Sequence, residues 1–479
     1  MGAESSDDSM PFIITGSTGI SVKEQRKLIR SHVMRGKNRK ALPSKPPSWI
    51  NYVGVEDRIV TEKNPFPIPN RVGGDLSLAN LSADISPAIF GGIVRLKEAM
   101  APPWASLSPI QTDGSWLGPI RDDPACFHFT IFVAQAYHDF RQGQKENSKF
   151  AMTHFVKALE ILQQRLCLDQ SETPTSNSTI LIVIGLTMVS IALGDFATAM
   201  IHFEGLHKMV TLRGGILAFS QNRLLQIKIL RVDLGISLST GHHPLFFSHR
   251  ISWDPYITSH ERKLVSFDTR RLHVLGAGFD LEHFIEGLDT RLRSIWNDLA
   301  EFARSVDVAA KCKLGIDSKL YQEVMISVHY RLLNLHFEIN GMNEVIRLAL
   351  LSFASVVFLQ WDGVKFRYEY LNQRFKATLT YVIHGAEPIP QQLTLWLYTI
   401  GAISTFDRDE QTWFKPVLIR ILGDLGCKTW DEVEPLLKSI IWVDVLLGSL
   451  MERMMKDNLG DFPDMPVVKD ALSPKFTLH

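Results

Sequence analysis

The chain has few cysteines, and none of them form close pairs. Even the nearest two, Cys126 and Cys167, are far apart, and the others are Cys312 and Cys427. Zinc ribbons, redox motifs and small disulfide frameworks need cysteines separated by a few residues, so the sequence predicts none of these sites. We interpret all four as buried thiols in a reducing compartment.

The sequence also lacks an excess of one charge and lacks long apolar runs. Its 51 basic residues equal its 51 acidic residues, so no global field attracts nucleic acid or an anionic membrane. The apolar runs 180–193 and 348–359 are shorter than the ~20 residues that a bilayer span needs. The N-terminal residues MGAESSDDSM contain acids and no apolar segment, which argues against a secretory signal. We therefore expect an intracellular protein without a membrane segment.

Familiar enzyme motifs are missing as well. There is no G-x-S-x-G elbow, no H-E-x-x-H and no P-loop, and the carboxylates are scattered. The fragment VLGAGFD starts like a dinucleotide fingerprint, but Leu281 replaces its third glycine. His202 and His207 point to different faces of a helix, so metal binding by this pair is not expected. We predict no catalytic residue, no metal and no cofactor, although a site assembled only in space remains an alternative.

What the sequence does contain is an uneven distribution of basic residues near its N-terminus. Ser21 and Glu24 have the spacing of a helix capping box, and Pro43 would end that helix. Between Val22 and Lys45 there are nine basic residues and one acid, Glu24, so the rest of the chain has 42 basic and 50 acidic residues. The N-terminal arm is therefore basic, and the remainder is acidic.

Clustered basic side chains on a helix can neutralise phosphates or be recognised by an import receptor. We predict nuclear import or non-specific DNA contact for Arg26, Lys27, Arg30, Arg35, Lys37, Arg39 and Lys40. Two alternatives stay open, namely a solvated surface helix and docking of the arm on the acidic remainder. Reading a DNA sequence requires a fold that holds side chains at base edges, which a lone arm does not supply.

The pattern of apolar residues divides the chain into four segments. Residues 1–45 are the basic arm, and 46–122 form a Pro/Gly-rich tether partly packed on the body. Residues 123–460 have apolar side chains at helical spacing, and 461–479 form a tail. Helices are predicted from Asp123 onward, including 180–193, 320–340, 345–361, 391–405, 411–425 and 430–455, whereas 240–280 is predicted as a long loop. The fold class is therefore all-α, a multi-helical bundle of stacked hairpins.

One pair of predicted hairpins carries a short internal repeat. Ala151-Met-Thr-His-Phe155 and Ala199-Met-Ile-His-Phe203 agree in four of five positions. In both, the histidine is expected at a cap or at the edge of the core. Asp195 is a predicted N-cap of the second repeat's helix, and Gly214-Gly215 should end that helix because glycine accepts the left-handed conformation.

Four blocks of sequence resemble the fungal-specific transcription factor domain family, in particular members without an N-terminal binuclear zinc cluster. These blocks are Ile29 to Lys40, Pro65-Phe66-Pro67 with Asp123 to Phe129, Ala199 to Ile216, and the C-terminal pieces 395–405, 412–414, 427–433 and 440–445. The resemblance implies an all-α middle-homology-like domain with a part in dimerisation, regulation or ligand response. Many relatives begin with a zinc cluster held by six cysteines, which four isolated cysteines cannot build.

These observations lead to one functional hypothesis with two alternatives. We expect a nuclear, transcription-associated regulator whose helical domain binds protein partners, transcription machinery or an effector. A homodimer and weak DNA contact through the arm stay open. The first alternative is a cytoplasmic helical scaffold without DNA contact, and the second is an enzyme with a pocket among its helices.

Overall fold

The computed structural model describes residues 87–100, 118–144, 146–167, 173–246, 251–257, 262, 264–265, 279–339, 341–361, 366, 368–383, 389–404 and 411–456. Within these ranges the chain forms sixteen α-helices and two short 3-10 turns, and it contains no extended strand. The prediction of an all-α fold is therefore confirmed. None of the described helices is both long and apolar enough to cross a bilayer.

The first six helices form two hairpins and a small N-terminal layer. Their bounds are α1 Pro87–Ala99, α2 Gly118–Asp122, α3 Pro124–Arg141, α4 Lys149–Leu166, α5 Asn177–Ala192 and α6 Phe196–Leu212. Helices α3 and α4 pair, as do α5 and α6, while α1 and α2 pack on α3. Within the predicted tether, residues 87–99 and 118–122 are therefore helical.

The remaining ten described helices include one, Arg223–Thr240, that contacts helices on both sides of it in sequence. Their bounds are α7 Arg223–Thr240, α8 Phe279–Glu286, α9 Thr290–Cys312, α10 Ser318–Asn334, α11 Met342–Phe358, α12 Glu369–Ile383, α13 Gln391–Ser404, α14 Gln411–Asp424, α15 Trp430–Lys438 and α16 Asp444–Lys456. Helix α7 contacts α5, α6, α10 and α12, so it joins the N-terminal hairpins to the C-terminal helices. The largest apolar core runs from Phe140 to Met451.

Local capping explains where the hairpin helices begin. The side chain of Asp195 accepts a hydrogen bond from the amide of Thr198 at 3.0 Å, which confirms it as the N-cap of α6. Ser148 and Ser176 cap α4 and α5 in the same way. Each cap satisfies an amide that has no partner within its helix. Both copies of the internal repeat lie near the start of the second helix of a hairpin, where Ala151 and Ala199 are fully buried.

Helix α5 is buried on most of its surface, and one glycine allows α3 to approach it. A Cβ atom on Gly185 would lie 2.2 Å from an aromatic carbon of Phe129 in α3. Only a residue without a side chain fits at this crossing. The core between α3, α4 and α5 therefore depends on a small residue in the middle of an apolar helix.

The predicted helix 430–455 is wrong, because the chain forms two helices there. Ile440 to Val443 are four consecutive buried residues, and consecutive side chains cannot all lie on one face of a helix. The second helix begins where Asp307 Oδ1 of α9 accepts a hydrogen bond from the amide of Asp444 at 2.9 Å. The break is therefore stabilised by a residue distant in sequence.

Two further expectations need correction. Helix α10 ends at Asn334, before the predicted 340, and Arg347 donates to the carbonyl of Leu332, one of the last four of the helix, which have no partner within it. The interpretation of all four cysteines as buried holds for Cys126 alone. Cys167 and Cys312 are exposed, since both lie at the ends of helices, and Cys427 is half-buried.

Candidate functional site

The predicted import or DNA-contact residues lie outside the described part of the chain. This holds for all seven of Arg26, Lys27, Arg30, Arg35, Lys37, Arg39 and Lys40. Their role therefore stays a prediction. Residues 274–278 of the fragment VLGAGFD also lie outside, whereas α8 begins at its next residue, Phe279.

The Arg213-Gly214-Gly215 turn after α6 has a structural role. Arg213 donates to Asn177 Oδ1 at 2.5 Å and to the carbonyl of Thr175 at 3.3 Å, and its guanidinium lies 4.4 Å from the Phe219 ring centre. It thus ties the end of α6 to the start of α5. Gly214 and Gly215 have φ angles of +95° and +85°, so the predicted helix end is confirmed.

The two histidines of the internal repeat, His154 and His202, are both half-buried but have different neighbours. His154 lies half-buried at the edge of α4, and its Nδ1 is 2.8 Å from Nδ1 of His128 in α3. One of these nitrogens must donate and the other accept, so the pair carries at most one positive charge while the bond persists. His202 is half-buried, and burial lowers its pKa. In the described ranges no three His, Cys, Asp or Glu side chains are grouped to hold a metal ion.

Buried carboxylates hold the loop between α7 and α8 in place. Asp233 of α7 accepts from the amides of Leu245 and Phe246 at 2.9 and 3.0 Å and from the Tyr330 hydroxyl at 2.7 Å. Burial raises the pKa of Asp233, although these three donors oppose the rise. Its oxygens are occupied by fixed donors, so Asp233 acts as an anchor for the loop.

A second anchor lies between α9 and α10. Asp298 accepts from the amides of Tyr256 and Ile257 at 2.6 and 2.7 Å and pairs with the Arg331 guanidinium at 2.5 Å. Both charged side chains are almost completely buried, at 0% and 2% exposure. Asp233 and Asp298 thus fix the loop at residues 245–246 and 256–257. The described residues of the predicted long loop are thus held against these helices by hydrogen bonds.

Helix α7 carries two cations, Lys228 and Arg231, that differ from the buried, paired charges described above. Thirteen of its eighteen residues are buried, and helices pack around it, yet Lys228 is exposed and Arg231 is half-buried. With Leu224 they lie on one helix face, and exposure decreases from Leu224 to the buried Gly235. We call this recess the α7 cleft, defined by Leu224, Lys228 and Arg231.

The charges of the α7 cleft act on side chains from three parts of the fold. The charge of Lys228 acts on the Cys126 thiol of α3, and the charge of Arg231 acts on Tyr321 and His329 of α10 and on Tyr368 before α12. Burial among these elements, followed by repulsion from Arg231, lowers the pKa of Lys228. Solvent therefore reaches a lysine that protein surrounds on most sides.

Neither cation of the α7 cleft has a partner in the part of the chain that the structure describes. No carboxylate forms an ion pair with Lys228 or Arg231, and neither donates a hydrogen bond there. The Cys126 thiol does not neutralise them, because burial and the charge of Asp123 raise its pKa to about 11. The α7 cleft therefore carries positive charge that no described residue neutralises.

Sequence analysis did not single out Lys228 or Arg231, although a signal was present. In the apolar segment RLLQIKILRVDLGISLST, neither cation has an acid three or four residues away. On a helix, such neighbours would form the usual intrahelical ion pair. Unpaired cations in an otherwise apolar helix are the pattern that could have identified the site.

Comparison with known proteins gives one match. The model of a family described as "fungal specific transcription factor domain" matches residues 117–436, from just before α2 into α15. Comparison with curated proteins finds no match, and comparison with solved structures finds none either. The family match covers about two thirds of the chain and includes both hairpins, the loop anchors and the α7 cleft. The chain therefore belongs to the fungal specific transcription factor domain family and has a role in the regulation of transcription.

Proposed function

We propose that the chain is a nuclear regulator in which the helical body binds a protein partner or a small effector and the basic arm serves import or non-specific DNA contact. The observation that carries this proposal is the family match over residues 117–436. The charge distribution supports it, because nine basic residues are concentrated between Val22 and Lys45 in a chain that is otherwise acidic. Partners among the transcription machinery and a second copy of the chain are both compatible with this role.

The role of the arm is tested by removing its charge in the full-length protein. Replacing the seven predicted residues by alanine should shift a fluorescently tagged protein from the nucleus to the cytosol, since an import receptor recognises clustered basic side chains. A matched control removes seven exposed cations from the described body and should stay nuclear. These control positions are Arg141, Lys149, Lys157, Lys208, Lys311, Lys319 and Arg420. Equal nuclear accumulation of all three proteins would contradict the role of the arm.

DNA contact through the arm predicts a specific response to salt. Binding of purified protein to duplex DNA should weaken steeply with ionic strength, with a log–log slope of about −0.9 per neutralised phosphate. The seven-alanine variant should lose most of this slope, whereas the body control should keep it. A slope unaffected by the arm substitutions would place any DNA contact elsewhere.

The regulatory role itself is tested on chromatin. Immunoprecipitation of the tagged full-length protein should give reproducible peaks at promoters. A cytosolic protein with no enriched promoter would instead favour the helical scaffold.

A further inference from the structure

We propose that the α7 cleft binds a small organic anion, a carboxylate or a phosphate ester, between Lys228 and Arg231. This inference deepens the proposed effector role of the helical body and rests on it. It assigns the chemical class of the effector and the residues that hold its charge.

The first argument is the uncompensated charge of the cleft. Lys228 and Arg231 are one turn apart on α7, and neither forms an ion pair or a hydrogen bond within the described part of the chain. Other recessed charges of the fold are compensated, as Arg331 is by Asp298 and Arg347 by Glu344. Partial burial of the Arg231 guanidinium costs free energy unless an anion neutralises it, and the two cations also repel each other. A ligand anion would offset this cost.

The second argument is the choice of the two cations. A guanidinium can donate two parallel hydrogen bonds to a carboxylate or a phosphate, and an ammonium adds a point charge without fixed geometry. Arg231 lies deeper in the cleft than Lys228, since it is half-buried and Lys228 is exposed. We therefore expect Arg231 to orient the anion and Lys228 to neutralise it from the open side.

A third observation concerns His329, on which the charge of Arg231 acts. Its Nδ1 lies 2.8 Å from the carbonyl of Met325, which can only accept, so Nδ1 carries the hydrogen and Nε2 is an acceptor. Nε2 is buried and has no hydrogen-bond partner. Burial lowers the pKa of His329 to about 4, so the ring is neutral near pH 7. The neutral ring adds no positive charge near Arg231, so the charge of the site comes from the two cations.

The position of the cleft favours a small molecule over a macromolecule. Helices α5, α6, α10 and α12 pack around α7, and the residues on both sides of Lys228, Ile227 and Ile229, are at most 4% exposed. A nucleic-acid backbone is recognised by many cations spread along an extended groove or surface, whereas this cleft has two cations one turn apart. An effector bound here would contact elements from both halves of the domain.

The test uses purified full-length protein, three anions and neutral counterparts of two of them. Glycerol 3-phosphate is compared with glycerol, lactate with lactamide, and inorganic phosphate is the minimal probe. Calorimetry and thermal unfolding should show binding of at least one anion and no binding of glycerol or lactamide, because a ligand specific for the folded state raises its melting temperature. Tighter binding of glycerol 3-phosphate would identify a phosphate site, and tighter binding of lactate a carboxylate site.

Variants assign the binding to the two cations. The double variant K228M/R231M should weaken the affinity at least about tenfold, as expected when charge-assisted hydrogen bonds to the anion are removed. Without ligand, it should melt at the same temperature as the wild type or higher, because it removes two cations that have no partner. The matched control is K208M, which removes an exposed cation from α6 and should bind like the wild type. The single variant K228M removes the more exposed cation and should show part of the loss if the double variant folds poorly.

Two results would overturn the inference. One is the absence of binding of all three anions up to about 50 mM, well above the millimolar affinity of a weak site. The other is equal binding by the wild type and the double variant. A promoter-bound nuclear protein that binds none of these anions would refute the inference alone, whereas a cytosolic protein that binds them would refute the proposed function alone.

Discussion

At the scale of single residues, the charges inside this domain fall into two groups. Asp233, Asp298 and Arg331 are buried and have fixed hydrogen-bond partners, and they anchor the loop after α7. Lys228 and Arg231 are recessed and have no partner among the described residues. The first group stabilises the fold, and the second is available to a ligand.

Breaking the buried pair should be strongly destabilising. Arg331→Met would leave the Asp298 carboxylate buried without its cation, at an expected cost of about 3–5 kcal/mol in the free energy of unfolding. Urea denaturation followed by circular dichroism measures this. Arg121→Met, which breaks an exposed ion pair with Asp122, serves as the control and should unfold like the wild type. A loss below about 1 kcal/mol for Arg331→Met would mean that the pair adds no more than a surface pair.

Asp307 should make stability depend on pH. Burial raises its pKa from 3.8 to about 6, opposed by the charge of Lys438. The folded chain therefore binds this proton more tightly than the unfolded chain, so the contribution of Asp307 to stability is fully present below pH 3.8 and is lost as pH rises to about 6. Asp307→Asn keeps an oxygen acceptor for the Asp444 amide and removes the titration. Relative to this variant, the wild type should lose stability between pH 4 and 7, and parallel stability curves would contradict the expectation.

At the scale of elements, the α5–α6 hairpin shows how local sequence determines a helix and its end. Asp195 begins α6, and Gly214 and Gly215 end it with positive φ angles. Caps and glycines act over a few residues, so they can be identified before the fold is known. What the sequence did not show is that Arg213 reaches back to Asn177 and Thr175.

Gly215, at the end of this hairpin, should affect the free energy of unfolding through its backbone conformation. Gly215 has φ +85° and ψ −176°, a conformation that residues with a Cβ rarely adopt. No heavy atom would lie within 4 Å of a Cβ there, so Gly215→Ala should cost only the backbone strain, about 1–3 kcal/mol. Gly423, inside α14, also has open space, and Gly423→Ala should instead stabilise by about 0.5–1 kcal/mol. Urea titration of both variants tests the contrast, and equal effects would refute it.

At the scale of the whole molecule, the largest apolar core links the α5–α6 hairpin to the C-terminal helices, and a second cluster joins α3, α4 and α5. Trp396 of α13 is fully buried, lies 5.7 Å from the Trp296 ring of α9, and donates to the carbonyl of Ile441 at 2.7 Å. This side chain thus connects three distant segments. Substitutions here affect the packing of the entire C-terminal half.

Trp396→Ala should therefore destabilise the whole domain. We expect a loss of about 3–5 kcal/mol, because a large buried side chain leaves a cavity and the Ile441 carbonyl loses its donor. Thermal unfolding followed by circular dichroism and by tyrosine absorbance should still coincide, since the core is shared. Leu217→Ala, at a position that is 77% exposed, should change stability by less than about 0.5 kcal/mol. Separate transitions by the two probes would contradict cooperative unfolding of the largest core.

The sequence predicted the helical class and several helices closely, and it failed in identifiable places. Helix α13 was predicted for 391–405 and is observed at Gln391–Ser404. Helix α9 was missed, although Leu292, Ile295, Leu299 and Phe302 have helical spacing and Asp289 caps it. The break before α16 had no local signal, because its cap comes from Asp307, 137 residues away in sequence.

The helical class and many of the helix ends could be predicted before the fold was known, because apolar spacing, caps and left-handed glycines act within a few residues. The pairing of charges between helices could not be predicted in this way. Asp298 forms an ion pair with Arg331 on another helix, whereas Lys228 and Arg231 form no ion pair with a carboxylate within the described ranges. Such pairings depend on how helices pack, since a contact between two elements is set by their relative position and not by the residues next to each side chain.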